Sequence, residues 1–369
     1  MRLSRSLLSS LLLVVPSTLV SARSITGDRL LVVDEVGLVE SYRGYIWDLE
    51  QRGYQITYLS PKDDALQLFQ HGERKWDHII LLPPKSRAYG PNLTTQILID
   101  FVNKQGNILV LIDSANQPEQ LRDLGRELEI GLAPRGDIVV DHFEWLPGVE
   151  GNAMSHSVIL PQKPKTVSGK KNYFGGSNDQ EEFVAYRGTG HTLGNSPLLH
   201  PILPAPRTSY TFDPEEEKMK SENPWSAGQQ LYLASGFQAR NNARIAFVGS
   251  ADSFTDDFQA VDGTKEGPHG HKCIINNRGF ANSVTGWAFQ ELGVLKVEGV
   301  KHYAADRQAE TSQNPEIYRI KSDVVCFPPP PPAPTQLHIA NHFLPIYADF
   351  RNCTLRIHLG SMDSLPSAI

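Results

Sequence analysis

Between residues 28 and 113, short apolar runs alternate with amphipathic stretches, and this alternation constrains the fold more than any other feature. "RLLVVDE", "YQITYL", "HIILLPP" and "NILVLID" read as four strands. "ESYRGYIWDLEQRG" reads as a helix stopped by Gly53, and "NLTTQILIDFVNKQG" as a second, with Asn92 near its cap and Gly106 just past its end. Strands that are apolar throughout need cover on both faces, which is the habit of a parallel sheet with helical crossovers. The expected fold class is α/β, a doubly wound and mostly parallel sheet. Ligand crevices of such sheets open beyond the strand C-termini, where Asp34-Glu35, Pro83-Pro84-Lys85 and Asp113-Ser114 stand. Any such chain also turns into solvent there, so polar residues at those ends do not by themselves announce a ligand.

The first 22 residues carry Arg2 and Arg5, an apolar core from Leu7 to Val15, and Val20-Ser21-Ala22 as a small-residue cleavage site. That order is a secretory signal peptide, with an apolar core too short to span a bilayer comfortably. Three cysteines, Cys273, Cys326 and Cys353, are too few and odd in number to form a disulfide framework, so the fold must rest on its core. Two glycosylation sequons begin at Asn92 and Asn352. A formal charge of −6, with no long Lys/Arg run, disfavours nucleic acid as a partner.

The sequence divides into a leader (1–22), an N-terminal α/β domain (23–150), a continuation of the α/β region (151–310), and a Pro-rich tail (311–369). Within the continuation, "LPQKPKTVSGKKNYFGGSNDQEE" reads as an exposed excursion, and strands return at "QQLYLAS" and "RIAFVGS". The tail holds "PPPPPAP" at 328–334, which favours polyproline II, and is expected to be irregular and without order.

"GFQARNNARIAFVGSADSF", residues 236 to 254, gathers the most specific polar groups in the chain. Its two ends can pair as a hairpin with Asn241-Asn242 near the turn, because asparagine tolerates left-handed backbone angles and its amide can bond locally. Arg240 and Arg244 offer forked donors for carbonyls or carboxylates of neighbouring loops. Ser250, Asp252 or Ser253 can cap the following helix, whose first turn suits Asp256 and Asp257. Capping and turn formation account for all these residue types, and the architectural reading outweighs a catalytic one.

Other chemistry finds less support. No G-x-S-x-G elbow is present, since "VGSADS" lacks the second glycine. "GTGHTLG" at 188–194 has the wrong glycine spacing for a phosphate loop, and no helix start follows it. "HGHKC" places His269, His271 and Cys273 within five residues, but zinc would need a partner cluster that the sequence does not show. Asp63-Asp64 reads as helix-start charge rather than an acid/base couple.

The 236–254 stretch, extended to "FTDDF", closely resembles the signature of the DDOST family, the non-catalytic subunit of oligosaccharyltransferase (dolichyl-diphosphooligosaccharide–protein glycosyltransferase). "GDRLLVVDE", "VVDHF", "AYRGTGHTLGNSPLLHPILPA" and "GWAFQELGVLKVEGVKH" follow the family in order, so the resemblance covers roughly residues 28 to 325. It implies a flavodoxin-like or amidotransferase-like domain without the amidotransferase cysteine, and no catalytic, cofactor or metal residues. It also implies a luminal place at the endoplasmic reticulum membrane and a part in protein N-glycosylation. The partners it implies are a ribophorin II-type subunit, a defender-against-death-type small subunit and the catalytic subunit. Arg240, Asn241, Asn242, Arg244, Ser250 and Asp252 would be its structural signature. Family members continue past "YRIKSDV" into a further luminal region and one membrane anchor, whereas "VCFPPPPPAPTQLHIANHF" stands here; a truncated or altered reading frame is the expectation. The competing reading is a soluble luminal hydrolase using Ser250, Asp252 and a distant histidine, or a glycan-binding module.

Overall fold

The computed structural model describes residues 24–35, 37–147, 156–164, 174, 181–214, 224–267, 270–304, 318–326 and 354–358. The expected leader, His269, the run 328–334 and Asn352 lie outside the described residues.

Strand β1 (Arg29–Val33) leads through a 3-10 turn into helix α1 (Arg43–Gln51), and β2 (Gln55–Leu59) returns beside β1. A two-residue hairpin, β3 (Phe69–Gln70) and β4 (Glu73–Arg74), precedes β5 (His78–Leu81). Helix α2 (Thr95–Asn103), β6 (Asn107–Leu111) and α3 (Glu119–Glu127) follow. The chain then lays down β7 (Ile130–Leu132), β8 (Ile138–Val140), β9 (Glu182–Phe183), β10 (His191–Leu193), β11 (Leu199–Pro204) and β12 (Tyr210–Phe212). Next come β13 (Tyr232–Gln238), β14 (Arg244–Val248), α4 (Asp256–Gln259), β15 (Gly263–Glu266), β16 (Lys272–Ile275) and α5 (Asn277–Ala288).

Nine strands form one sheet in the order β2-β1-β5-β6-β14-β13-β10-β7, with β11 also beside β13. β2, β1, β5, β6 and β14 are parallel neighbours, while β13 and β7 run against the other seven. The fold is thus the doubly wound, mostly parallel α/β class, completed by antiparallel strands on one side.

Successive residues of a strand point to opposite faces, and both faces are covered here, so β1, β5, β6 and β14 are apolar after their first residue. Leu30, Val32, Ile80, Leu109, Leu111, Ala246 and Val248 face a core built with Tyr45 and Leu49 of α1 and with Phe280, Val284 and Ala288 of α5. Their neighbours Leu31, Val33, Ile79, Leu81, Ile108, Val110, Ile245 and Phe247 face the opposite core, with Leu98 and Phe101 of α2 and Leu121 and Leu124 of α3. Two ion-pair networks clamp α1 to α5. Arg52 meets Glu291 at 3.1 Å, with 10% and 4% of the side chains exposed, and the Tyr54 hydroxyl donates to the same carboxylate at 2.6 Å. Asp48 accepts from Arg278 and from Asn282 Nδ2. Burial opposes the charge on Asp48, but these donors hold its carboxyl below the usual range.

Several local details depart from the sequence reading. The N-cap of α2 is Thr94, whose hydroxyl accepts from Ile97 N at 3.3 Å, rather than Asn92. At the helix's other end Gln105 takes the left-handed angle (φ 67°), and Gly106 is required for space, since a Cβ there would lie 2.2 Å from the Phe101 ring. Asp63 starts a side-chain turn by accepting from Ala65 N and begins no helix. The stretch read as an exposed excursion is partly interior. Leu160 is buried with Cys273 and Ile275 in a third core, and Lys163 pairs with Glu182 at 2.8 Å with both side chains nearly inaccessible. Within 311–369, the described residues are two strands, β18 (Tyr318–Cys326) and β19 (Thr354–His358), in a sheet with β17 (Leu295–Ala304).

Two buried imidazoles set an acid limit. His78 donates from Nε2 to Gly27 O at 3.1 Å and lies 3.3 Å from Asn107 Nδ2, a network that fits the neutral ring. His191 sits 2.7 Å from Ser235 Oγ. Burial lowers the pKa of His78 to about 4 and that of His191 to about 3. Unfolding frees both rings to take up protons below their ordinary pKa, so stability present above about pH 6.5 is lost as pH falls toward 4. Urea unfolding across that window is expected to show a slope approaching 1.4 kcal/mol per pH unit for each ring. His191→Gln is expected to remove its share of the slope.

Candidate functional site

The 236–254 stretch is a β-hairpin in which β13 pairs antiparallel with β14, from Ala234↔Val248 to Gln238↔Arg244. Ala239 N donates to Ala243 O and Asn242 N to Ala239 O, closing a tight turn in which Asn242 holds φ 68°. Asn241 reaches out of it: its Oδ1 accepts from Ala243 N, while its Nδ2 donates to Val102 O at 2.8 Å and Asn103 O at 3.0 Å. Those are C-terminal carbonyls of α2, where the intrahelical ladder runs out; Val102 O also accepts from Gln105 N at 2.9 Å. Arg240 is exposed.

Arg244 points inward. Its guanidinium donates to Trp287 O (2.8 Å), Leu292 O (2.7 Å) and Gly293 O (2.7 Å), the carbonyls where the chain leaves α5, and lies 5.1 Å from the Trp287 ring centroid. Its backbone N–H donates to Asn107 Oδ1, which also accepts from Gln290 Nε2; Gln290 donates in turn to Asn242 O. Asn107 Nδ2 continues the chain to Thr26 Oγ1 and His78. This polar network fills the N-terminal ends of β5, β6 and β14. Sequence reading missed Asn107 and Gln290; a polar residue opening an otherwise apolar strand at Asn107 was the available signal.

Ser250 and Asp252 lie at the opposite, C-terminal end of β14, about 17 Å along a five-residue strand. The stretch that looked like one constellation is therefore two separate structures. The Ser250 hydroxyl is fully buried and shared between Ser253 N (3.1 Å) and Ser253 Oγ (2.8 Å), so it starts the turn Asp252–Phe254. Asp252 pairs with Arg187 at 2.7 Å. Among the described residues no histidine bonds to either group. Gly249 is needed because a Cβ would lie 2.1 Å from Thr189 O, and a Cβ on Gly188 would likewise lie 2.1 Å from Gly249 O. That close approach explains the glycines of "GTG", which run into β10 rather than a helix.

At the switch point between β1 and β5, Glu35 bridges the two strand ends. It accepts from Ser86 N (3.0 Å) and Ser86 Oγ (3.2 Å) and meets Lys62 at 3.3 Å. Burial opposes its charge, yet these donors keep its pKa below the usual range. Deeper in, the Tyr42 phenol is pushed well up by burial and by the negative charges of Asp252, Asp113 and Asp34. The crevice is thus acidic, with Glu35 held by its own loop contacts. A cavity of about 1320 Å³ opens beside the start of β13, lined by Phe143, Lys163, Arg207, Tyr232, Lys272 and Cys273 among others. Among the described residues no cluster of three His, Cys, Asp or Glu could hold a metal ion, and none of their helices is long and apolar enough to cross a membrane.

Arg244→Ala is expected to take the side-chain donor from Leu292 O and Gly293 O, leave Trp287 O with only its bond from Gln290 N, and lower the unfolding free energy by roughly 2–4 kcal/mol. Arg240→Ala, on the exposed turn, should stay within about 0.5 kcal/mol of the parent in the same denaturation series. Ser250→Ala is expected to cost about 1 kcal/mol through the lost turn contact.

Comparison with known proteins gives one consistent result. The family described as OST48, N-terminal domain, matches residues 21–291. The chain is 32% identical over 287 residues to the dolichyl-diphosphooligosaccharide–protein glycosyltransferase subunit wbp1 of Schizosaccharomyces pombe, covering 78% of this chain and 62% of that protein. It is 30% identical over 300 residues to the 48 kDa subunit of the same glycosyltransferase in Caenorhabditis elegans, covering 81% and 65%. The chain thus spans somewhat under two thirds of the length of these relatives. A glutamine amidotransferase of Thermotoga maritima overlaps 60% of this chain and 74% of its own, at 10% identity and a TM-score of 0.33, too loosely to transfer chemistry.

Proposed function

Because the chain belongs to the OST48 N-terminal-domain family, we propose that it serves as an accessory, non-catalytic subunit of oligosaccharyltransferase. It works on the luminal side of the endoplasmic reticulum membrane, supporting transfer of a lipid-linked oligosaccharide to asparagine. Its relatives are named as subunits of that glycosyltransferase. The observation that carries the non-catalytic part is where the signature spends its polar groups. Arg244 is committed to three carbonyls, Asn241 to the end of α2, and Ser250 to its own turn. Groups so bonded cannot turn to a reacting substrate without leaving the fold underpaired. The signature is architectural, fixing the hairpin against α2 and α5.

The proposed partners are a ribophorin II-type subunit, a defender-against-death-type small subunit and the catalytic subunit, with chemistry residing in the last. The hydrolase reading loses its nucleophile, since the Ser250 hydroxyl is inaccessible.

The test is affinity purification from cells expressing the tagged chain extended to the length of its relatives. The catalytic subunit is expected to co-purify, and the chain stripped of partners is expected to transfer no glycan from the lipid donor to an Asn-x-Thr peptide. Glycan transfer by the stripped chain, or its recovery free of any oligosaccharyltransferase subunit, would refute the proposal.

A further inference from the structure

The sequon Asn92-Leu93-Thr94 occupies the turn that opens α2, and the fold uses all three of its residues. Leu93 is fully buried in the core formed with Leu98 and Phe101, and its N–H donates to Gly90 O at 3.1 Å. The Thr94 hydroxyl is the helix cap, accepting from Ile97 N, and Thr94 O accepts from Leu98 N at 3.1 Å. Thr95 Oγ1 donates to Gln120 O at 3.0 Å, fixing the same turn to the α3 side. Asn92 itself is half-buried, and its Nδ2 reaches Asp64 O at 3.5 Å, the outer limit of a hydrogen bond.

We propose that Asn92 is an N-glycan acceptor whose modification must precede the docking of α2. A transferase that reads Asn and Thr together needs both side chains free. In the folded chain the hydroxyl is engaged, and the residue between them is locked in the core. Presenting this tripeptide to an enzyme means undoing the cap and withdrawing Leu93 from the interior, which are events of unfolding. The finished fold nevertheless has room for the product. Pro91 and Gln96 beside it are exposed, as are Lys62, Asp63 and Asp64 across the turn, so a glycan on Nδ2 can leave into solvent. One N–H remains on Nδ2 to face Asp64 O. In the step, Nδ2 forms a bond to the anomeric carbon of an oligosaccharide linked to a lipid pyrophosphate. That carbon's bond to the pyrophosphate oxygen breaks, the lipid pyrophosphate leaves, and the amide loses one proton to a base of the transferase.

The inference rests on entry into the secretory pathway, and the experiment keeps that requirement separate. The chain is translated into microsomes behind a secretory leader of known performance, and entry is verified by leader cleavage and protease protection. The peptide 88–104, released by trypsin, is then analysed for an endoglycosidase-sensitive glycan; reading this peptide keeps Asn92 apart from Asn352. A glycan at Asn92 is expected, and Asn92→Gln is expected to abolish it while leaving the Thr94 cap intact. Should that variant misfold, Thr94→Asn keeps a capping side chain and removes the sequon. In parallel, purified transferase and lipid donor are offered the folded, unglycosylated chain and the synthetic peptide 88–104. The folded chain is expected to react at least about tenfold more slowly. A translocated chain bare at Asn92, or a folded chain modified as fast as the peptide, would overturn the proposal.

Discussion

Arg244 is the contact on which the arrangement of the sheet and its last helix depends. It opens β14, the strand where the parallel half of the sheet meets the antiparallel half. From there its guanidinium gathers the carbonyls of Trp287, Leu292 and Gly293, where the bonding ladder of α5 runs out. A charged donor buried to this degree is tolerated because each of those bonds is short and charge-assisted. A lysine would deliver one point charge where three carbonyls need a fork.

The network spreads from that point along the N-terminal ends of the parallel strands. Asn107 uses its carbonyl for Arg244 N and Gln290 and its amide for Thr26 and His78, so one side chain links β6, β14, the turn after α5 and the chain entering β1. At the opposite end the polar groups behave differently. Glu35 ties β1 to the loop after β5, while the charges of Asp252, Asp113 and Asp34 add to burial in raising the Tyr42 phenol's pKa. One end of the sheet is a satisfied structural lattice, and the other is acidic and nearer to solvent. This division bears on function, since Asn241, Asn242 and Arg244 sit in the lattice and Ser250 and Asp252 at the other end.

Much of this was legible in the sequence. The apolar runs at 29–33, 78–81 and 107–111 require a sheet covered on both faces, because strands without polar alternation have no face to give to water. Gly53 marks the end of α1, where it takes φ 91°. Asn92 does stand near the start of α2, but Thr94 is the cap; both residue types cap well, and only the path of the chain selects between them. Lys163 and Glu182 read as solvated charges, for nothing local reveals that residues so far apart in sequence will bury one another.

By itself, the sequence determined the sheet class, the helical crossovers and the hairpin turn, because each follows from periodicity or from the backbone preferences of a few neighbouring residues. The tertiary structure alone decided that Arg244 and Ser250, six residues apart, serve opposite ends of the molecule. A strand carries its two termini to different environments, and only the packing of α2 and α5 against one of them fixes which carbonyls its polar groups must satisfy.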